Sequence, residues 1–230
     1  MKAQNLVCVL CVVLLLATVV LPQNLRIGVT GGVNLATVST DLEATTPKIL
    51  AGFGIGGVLD VALADNLTLS VQPMYLQKGA KLEYPMEEAD FDIFGEMTGK
   101  FNYSYIEIPV LFKYALGSGN TRPYLAAGPS IGILTKAEMG LELGDVGSIT
   151  VDIKDASESL DFGIALGGGI AFPLGDNSLF VEARYTLGLV DVLNGMEASE
   201  EDDEDTGIED GKVNHRGFQI MAGLSFPLGD

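Results

Sequence analysis

Eight times between residues 25 and 226 the apolar side chains fall on alternate positions, and that rhythm excludes most folds at once. In a strand, successive side chains point to opposite faces, whereas a helix returns to the same face only every three or four residues. Leu25, Ile27, Val29, Val33 and Leu35 share one face, while Arg26, Thr30, Asn34 and Ala36 share the other, with glycines between them. A helix would scatter Leu25 and Ile27 around its axis. The stretches 53–63, 67–78, 105–114, 124–133, 160–172, 179–189 and 218–226 repeat the pattern.

A second periodicity joins these stretches in pairs. The words Val61-Ala-Leu-Ala-Asp65, Tyr114-Ala-Leu-Gly-Ser118, Phe172-Pro-Leu-Gly-Asp176 and Phe226-Pro-Leu-Gly-Asp230 close every second stretch, at intervals of 53, 58 and 54 residues. The repeating unit is therefore two strands with the loop between them. After each of the first three words the chain turns tightly, using Asp65-Asn66, the 117–120 run and Gly175-Asp-Asn177, residue types suited to positive φ and to Asx turns. The other connections are long, at 37–50, 80–101, 136–158 and 192–214. Tight turns alternating with long loops predict an all-β fold, an eight-stranded antiparallel up-and-down transmembrane β-barrel with its loops on the outer side.

The position of charge decides which face meets lipid. The apolar face carries no charged residue; the other carries Arg26, Lys78, Lys113 and Arg184 against Asp60, Glu107, Asp161 and Glu182. A soluble lipocalin-type barrel would place charges outside and apolar residues in its cup. Here the apolar face points outward, because Lys or Arg at the bilayer midplane costs about 2–4 kcal/mol. Four charges of each sign then form an interior network, with Arg26 and Asp60 expected to pair near the periplasmic end. Eight strands leave an interior just filled by side chains, so the barrel is expected to be plugged. Inward glycines at 28, 32, 52, 54, 56, 163, 167 and 169 make room for Tyr105, Tyr124, Arg26 and Arg184. Tyr114, Phe172 and Phe226 at one end, and Phe53, Tyr75 and Phe218 at the other, fit two interfacial girdles.

The amino-terminal part reads differently. Residues 6–21 are continuously apolar after Met1-Lys2, the pattern of a secretory signal, which divides the chain into a signal peptide at 1–23 and a barrel domain at 24–230. Both cysteines, Cys8 and Cys11, fall in that signal, leaving the mature chain without thiol chemistry. A net charge of −18 argues against nucleic acid as a partner. Most of this charge lies in the long loops, above all the 200–205 run followed by Glu209 and Asp210. Those loops offer a diffuse attraction for divalent cations, but the calcium-loop pattern fails because Val213 stands where the bidentate Glu belongs. His215 is the only histidine, and a lipid-modifying enzyme at the outer rim would need it, with Ser199 the only serine close in sequence. A bystander histidine is the preferred reading, and the chain is expected not to be an enzyme. Gly167-Gly-Gly169 lies inside a strand with no helix after it, so it is no phosphate loop, and no cofactor is implied.

Several stretches resemble the PorT-like outer-membrane β-barrel proteins. They are Arg26-Ile-Gly-Val-Thr-Gly-Gly-Val-Asn-Leu35, Gln72-Pro-Met-Tyr-Leu-Gln-Lys-Gly79, Tyr105-Ile-Glu-Ile-Pro-Val-Leu-Phe-Lys-Tyr114, Pro123-Tyr-Leu-Ala-Ala-Gly-Pro129 and Asp161-Phe-Gly-Ile-Ala-Leu-Gly-Gly-Gly169. The likeness spans about residues 26–226, except that Pro-Leu-Gly-Asp follows Phe226 where such barrels end on an aromatic. It implies location in the cell outer membrane, contact with outer-membrane lipid and lipopolysaccharide, and no catalytic residues. The expected function is structural, accessory or surface-interacting, with an envelope protein partner in a secretion or transport assembly as the alternative.

Overall fold

The computed structural model describes residues 25–40, 46–84, 97–117, 119, 121–143, 147–191 and 213–228. The signal segment, Ser199 and the acidic run 200–210 lie outside the described residues. Ten strands follow in order: β1 (Leu25–Thr40), β2 (Thr46–Ala64), β3 (Leu67–Val71), β4 (Met74–Tyr84), β5 (Met97–Ala115), β6 (Arg122–Leu143), β7 (Gly147–Asp152), β8 (Leu160–Leu174), β9 (Asn177–Asp191) and β10 (Val213–Pro227). Each barrel strand pairs antiparallel with its neighbours, and β10 returns to β1 from Arg26↔Pro227 to Thr40↔Val213, which closes the sheet and removes its edges. Among the described residues no helix is long and apolar enough to cross a membrane, so any crossing is made by strands.

Ten strands make eight staves. β3 and β4 are one stave interrupted at Gln72 and Pro73, and both halves pair with β2 and with β5. Pro73 has no N–H for the ladder, so the interruption falls where proline dictates. Its carbonyl still accepts from Gly57 N at 2.9 Å, and Gln72 N donates to Pro109 O at 3.1 Å. β7 stands outside the barrel wall, paired only with the outer end of β6 and exposed at every residue.

The loops are shorter than the hydropathy suggests. β4 runs to Tyr84, β5 begins at Met97 and β6 continues to Leu143, all within stretches that the sequence pattern assigns to connections. Above the membrane both faces of a hairpin are wet, so alternation of hydrophobicity fades while backbone pairing continues. A bulge accompanies this extension. The β5–β6 register slips between Ser104 and Tyr105, leaving Thr135 as the extra residue, and its hydroxyl donates to Ser104 O at 2.8 Å. Below the bulge Ile131 and Ile133 face out; above it Ala137 is buried and Lys136 is exposed.

The two faces differ as the alternation requires. Val29, Ile55 and Leu125 are 62%, 61% and 57% exposed, whereas Thr30, Val58 and Arg184, on the inner face, are at most 3% exposed. Such an apolar outer band on a closed antiparallel sheet is a lipid-facing surface.

Candidate functional site

The candidate site is the barrel interior, which is filled in layers. Nearest the periplasmic end, Arg26 lies at the rim, half-buried, and donates to Ser225 Oγ at 3.3 Å, Ser225 O at 3.2 Å and Asp176 O at 2.9 Å. Arg26 and Asp60 are register partners, as their depths suggest, yet Asp60 instead faces Lys113 Nζ at 4.0 Å. The expected Arg26–Asp60 pair is therefore replaced. The guanidinium reaches the carbonyls of Ser225 on β10 and of Asp176 in the turn between β8 and β9, and Asp60 faces a cation two staves along the wall, on β5. A recess of about 130 Å³ remains at this mouth, with Arg26, Asp60, Lys113 and Arg122 among its lining residues.

The next layer is a tight polar network. Arg184 is fully buried, its Nε donating to Gln219 Oε1 at 2.5 Å and its Nη1 to Gln72 Oε1 at 2.8 Å and Glu182 Oε1 at 3.3 Å. Glu182 also accepts from Tyr124 Oη at 2.9 Å and sits 3.3 Å from Lys113 Nζ. Lys113 in turn lies over the rings of Tyr124 and Phe180 at 5.2 and 4.9 Å. Two cations thus share the Glu182 carboxylate, with Asp60 4.0 Å from Lys113 at the mouth below, and the aromatic faces supply further attraction for the ammonium. The arrangement depends on an inward glycine: a Cβ on Gly169 would stand 2.5 Å from the Tyr124 hydroxyl.

Met74, Leu76 and Met221 form an apolar layer beside this one. Above it, Lys78 Nζ binds two carboxylates, Glu107 Oε2 at 2.5 Å and Asp161 Oδ2 at 2.9 Å. This layer carries one more negative than positive charge. Four charges of each sign occur in the interior, as the alternation implies, but they do not cancel layer by layer.

His215 belongs to the same region. It is 3% exposed, with Nε2 3.3 Å from Tyr105 Oη and the edges of Tyr103 and Tyr105 packed on its ring at 5.1 and 5.7 Å. Tyr103, Tyr105, Leu134, Ala137 and Ile153 then cap the lumen as an apolar cluster. Ile153 arrives from the loop that follows β7, where the 3-10 turn Lys154–Ala156 folds the chain back over the barrel. Sequence periodicity identifies the inward tyrosines but not this lid, whose residues fall in a stretch with no alternation.

A chamber of about 10 Å³ lies beneath the lid, with Asn34, Lys78, Glu107, Ser130, Asp161 and His215 among its lining residues. Asn34 Oδ1, Ser130 Oγ, Asp161 Oδ1 and His215 Nδ1 have no hydrogen-bond partner among the described residues. The space is that of a single water molecule. Ser130 on β6 was not singled out by sequence proximity to His215, because the barrel wall brings the two together from 85 residues apart. Serine, histidine and carboxylate thus line one chamber. Among the described residues no group of three His, Cys, Asp or Glu side chains is placed to hold a metal ion.

Neisserial surface protein A is similar in structure, with a TM-score of 0.46 and 15% identity over 88% of this chain and 97% of that one. Ail, the attachment invasion locus protein of Yersinia pestis, gives 0.41 and 13%, covering 87% and 98% of the two chains. The outer membrane protease OmpT from Escherichia coli gives 0.49 and 9%, covering 90% and 97%. No curated protein matches the chain. The family described as outer membrane protein beta-barrel domain matches residues 20–194, more than half of the sequence. This is an outer-membrane protein, and it belongs to the outer membrane protein beta-barrel domain family.

Proposed function

We propose that the protein works from its surface rather than through its lumen, as a plugged barrel that presents its outer rim and loops to other envelope or extracellular molecules. One observation carries this reading: layers of side chains bonded or packed to one another cross the lumen in succession, from Arg26 at one mouth to the Tyr103–Ile153 lid at the other. A diffusion pore needs a continuous water path, and eight staves leave none once Arg184, Tyr105 and Leu76 are inside. Planar-bilayer recording of the reconstituted barrel tests it. The expected trace has no stable conductance step, and a reproducible step in the wild type would refute the proposal.

An enzymatic role is not part of this reading. His215 makes its contacts inside the wall, and the chamber it shares with Ser130 and Asp161 has room for about one water molecule. The lipid composition of intact cells is expected to be unchanged by His215→Ala; an altered acylation pattern would make the histidine catalytic. The PorT-like resemblance favours one elaboration, an accessory role beside a secretion or transport assembly, docked through the same rim. Recovery of a stoichiometric envelope complex with the tagged barrel would support that elaboration.

A further inference from the structure

The upper charged layer of the lumen is left with one negative charge that its own residues do not balance. A single ammonium, Lys78 Nζ, stands between Glu107 Oε2 at 2.5 Å and Asp161 Oδ2 at 2.9 Å. Both carboxylates are deeply buried, so water does little to stabilise the surplus charge. Arg216 is near in sequence to the chamber's His215, but it alternates with the inward His215 and Gly217 and is exposed on the outer face of β10. The layer therefore needs roughly one more unit of positive charge, and it needs it where side chains already converge.

The chamber of about 10 Å³ beneath the lid is where they converge. Glu107, Asp161, Asn34 and Ser130 all line it, and among the described residues Glu107 Oε1, Asp161 Oδ1, Asn34 Oδ1 and Ser130 Oγ have no hydrogen-bond partner. Asn34 Nδ2 donates to Gln77 O at 2.7 Å, which fixes the amide and turns its oxygen the other way. The space itself depends on glycines. Gly132, Gly163, Gly188 and Gly217 bring bare backbone to the chamber, and a Cβ on Gly217 would stand 2.8 Å from Asn34 Oδ1 and 3.0 Å from Thr186 Oγ1. Four buried oxygens thus face a space that side chains leave clear.

Charge and donor chemistry identify the occupant. The oxygens of Asn34, Asp161 and Glu107 are acceptors only, and one more than the hydrogens of a water molecule. A water would leave one of them unmet and would not touch the surplus charge. A monovalent cation meets all of them and brings the layer to neutrality. Amide, hydroxyl and carboxylate oxygens are hard ligands, which suit a hard ion. A divalent ion would reverse the imbalance, and calcium takes about six to eight oxygens. Among the described residues no group of three His, Cys, Asp or Glu side chains is placed to hold such a metal. A space the size of one water admits Na⁺ and excludes tetramethylammonium.

We propose that the chamber is a sodium site, in which oxygens of Asp161, Glu107, Asn34 and Ser130 hold one Na⁺ beneath the lid. The site goes beyond the surface reading and is compatible with it, since one enclosed ion requires no open path through the lumen. The full barrel is folded into phosphatidylcholine vesicles and unfolded in urea at constant ionic strength, with Na⁺ replacing tetramethylammonium, and followed by far-UV circular dichroism. The wild-type unfolding equilibrium constant is expected to fall about tenfold between about 1 and 100 mM Na⁺, the shift that a dissociation constant near 10 mM produces. Asp161→Asn keeps the size of the side chain and removes the surplus charge. It should lose the sodium response, while being no less stable than wild type in tetramethylammonium alone. Ser130→Ala should weaken the response. Arg184→Met, which disturbs the lower layer, should be less stable than wild type but keep the response in full. Each variant is first shown to be a folded barrel by its heat-dependent gel shift; if D161N does not fold, S130A alone must weaken the response. Equal wild-type stability in the two salts would mean that a water or a proton satisfies the layer, and overturns the proposal. An undiminished sodium response in the folded D161N and S130A variants makes the effect a general one and overturns it as well.

Discussion

Arg184→Met is the sharpest test of how the interior is held together. The substitution keeps much of the side-chain volume but removes the guanidinium that joins Gln219 at 2.5 Å, Gln72 at 2.8 Å and Glu182 at 3.3 Å. Glu182 is fully buried and is left with Lys113 at 3.3 Å and Tyr124 at 2.9 Å. Breaking a buried ion pair by removing one partner costs about 3–5 kcal/mol, because the survivor stays desolvated. The two remaining contacts on Glu182 place the expected loss near the lower end, about 3 kcal/mol. Removing the second charge as well relieves much of this: E182Q/R184M should be less destabilised than the sum of its single variants by about 1.5–3 kcal/mol. The chain has no Trp, so far-UV circular dichroism of urea-unfolded barrels in lipid vesicles is the suitable readout, with the heat-dependent gel shift as a second probe. A loss below about 1 kcal/mol in R184M, or strict additivity in the double variant, would refute the claim that this layer is an interdependent ion network.

Two adjacent glycines should part company: Gly56→Ala puts a Cβ 2.3 Å from Pro73 O and 2.5 Å from Met74 Cβ and is expected to block barrel formation, whereas Gly57→Ala meets nothing closer than 3.8 Å and should fold normally in a gel-shift refolding assay. The upper charged layer has one carboxylate in excess, so Asp161→Asn, which keeps an acceptor for Lys78, should be neutral or stabilising in urea unfolding. Lys78→Met strands two buried carboxylates and should cost about 3–5 kcal/mol in the same measurement. Equal effects of these two changes would show that the layer is not charge-imbalanced.

The features legible in the sequence are those that lipid enforces. Where one face must be apolar and the other must not, as from Leu25 to Leu35 or along 160–172, alternation reports the strand, its register and its inward charges together. Above the hydrocarbon edge that constraint lapses, and the outer halves of β5 and β6, the whole of β7 and the Ile153 lid leave no periodic signal. Partner choice inside the lumen was equally hidden. Arg26 and Asp60 stand at the same register, but a barrel wall curves, so Asp60 finds Lys113 on β5 nearer than its strand neighbour. The Thr135 bulge was silent for a related reason: one extra residue changes which face follows, and only the pairing partner reveals that it is extra.

Charge layout ties the two halves of the molecule together. Inside the barrel Arg26, Lys78, Lys113 and Arg184 are matched by Asp60, Glu107, Asp161 and Glu182, so the net −18 of the chain is carried outside the lumen. A surface so acidic repels an anionic leaflet, and random placement of the remaining cations would do little to offset that. Four of them, Lys48, Lys81, Lys100 and Lys136, instead stand on contiguous staves along one face, above a band that only lipid can solvate. The interior lysines follow from the need to neutralise buried carboxylates; on the exterior Lys136 meets Glu138 at 2.7 Å, an exposed pair that contributes little to stability.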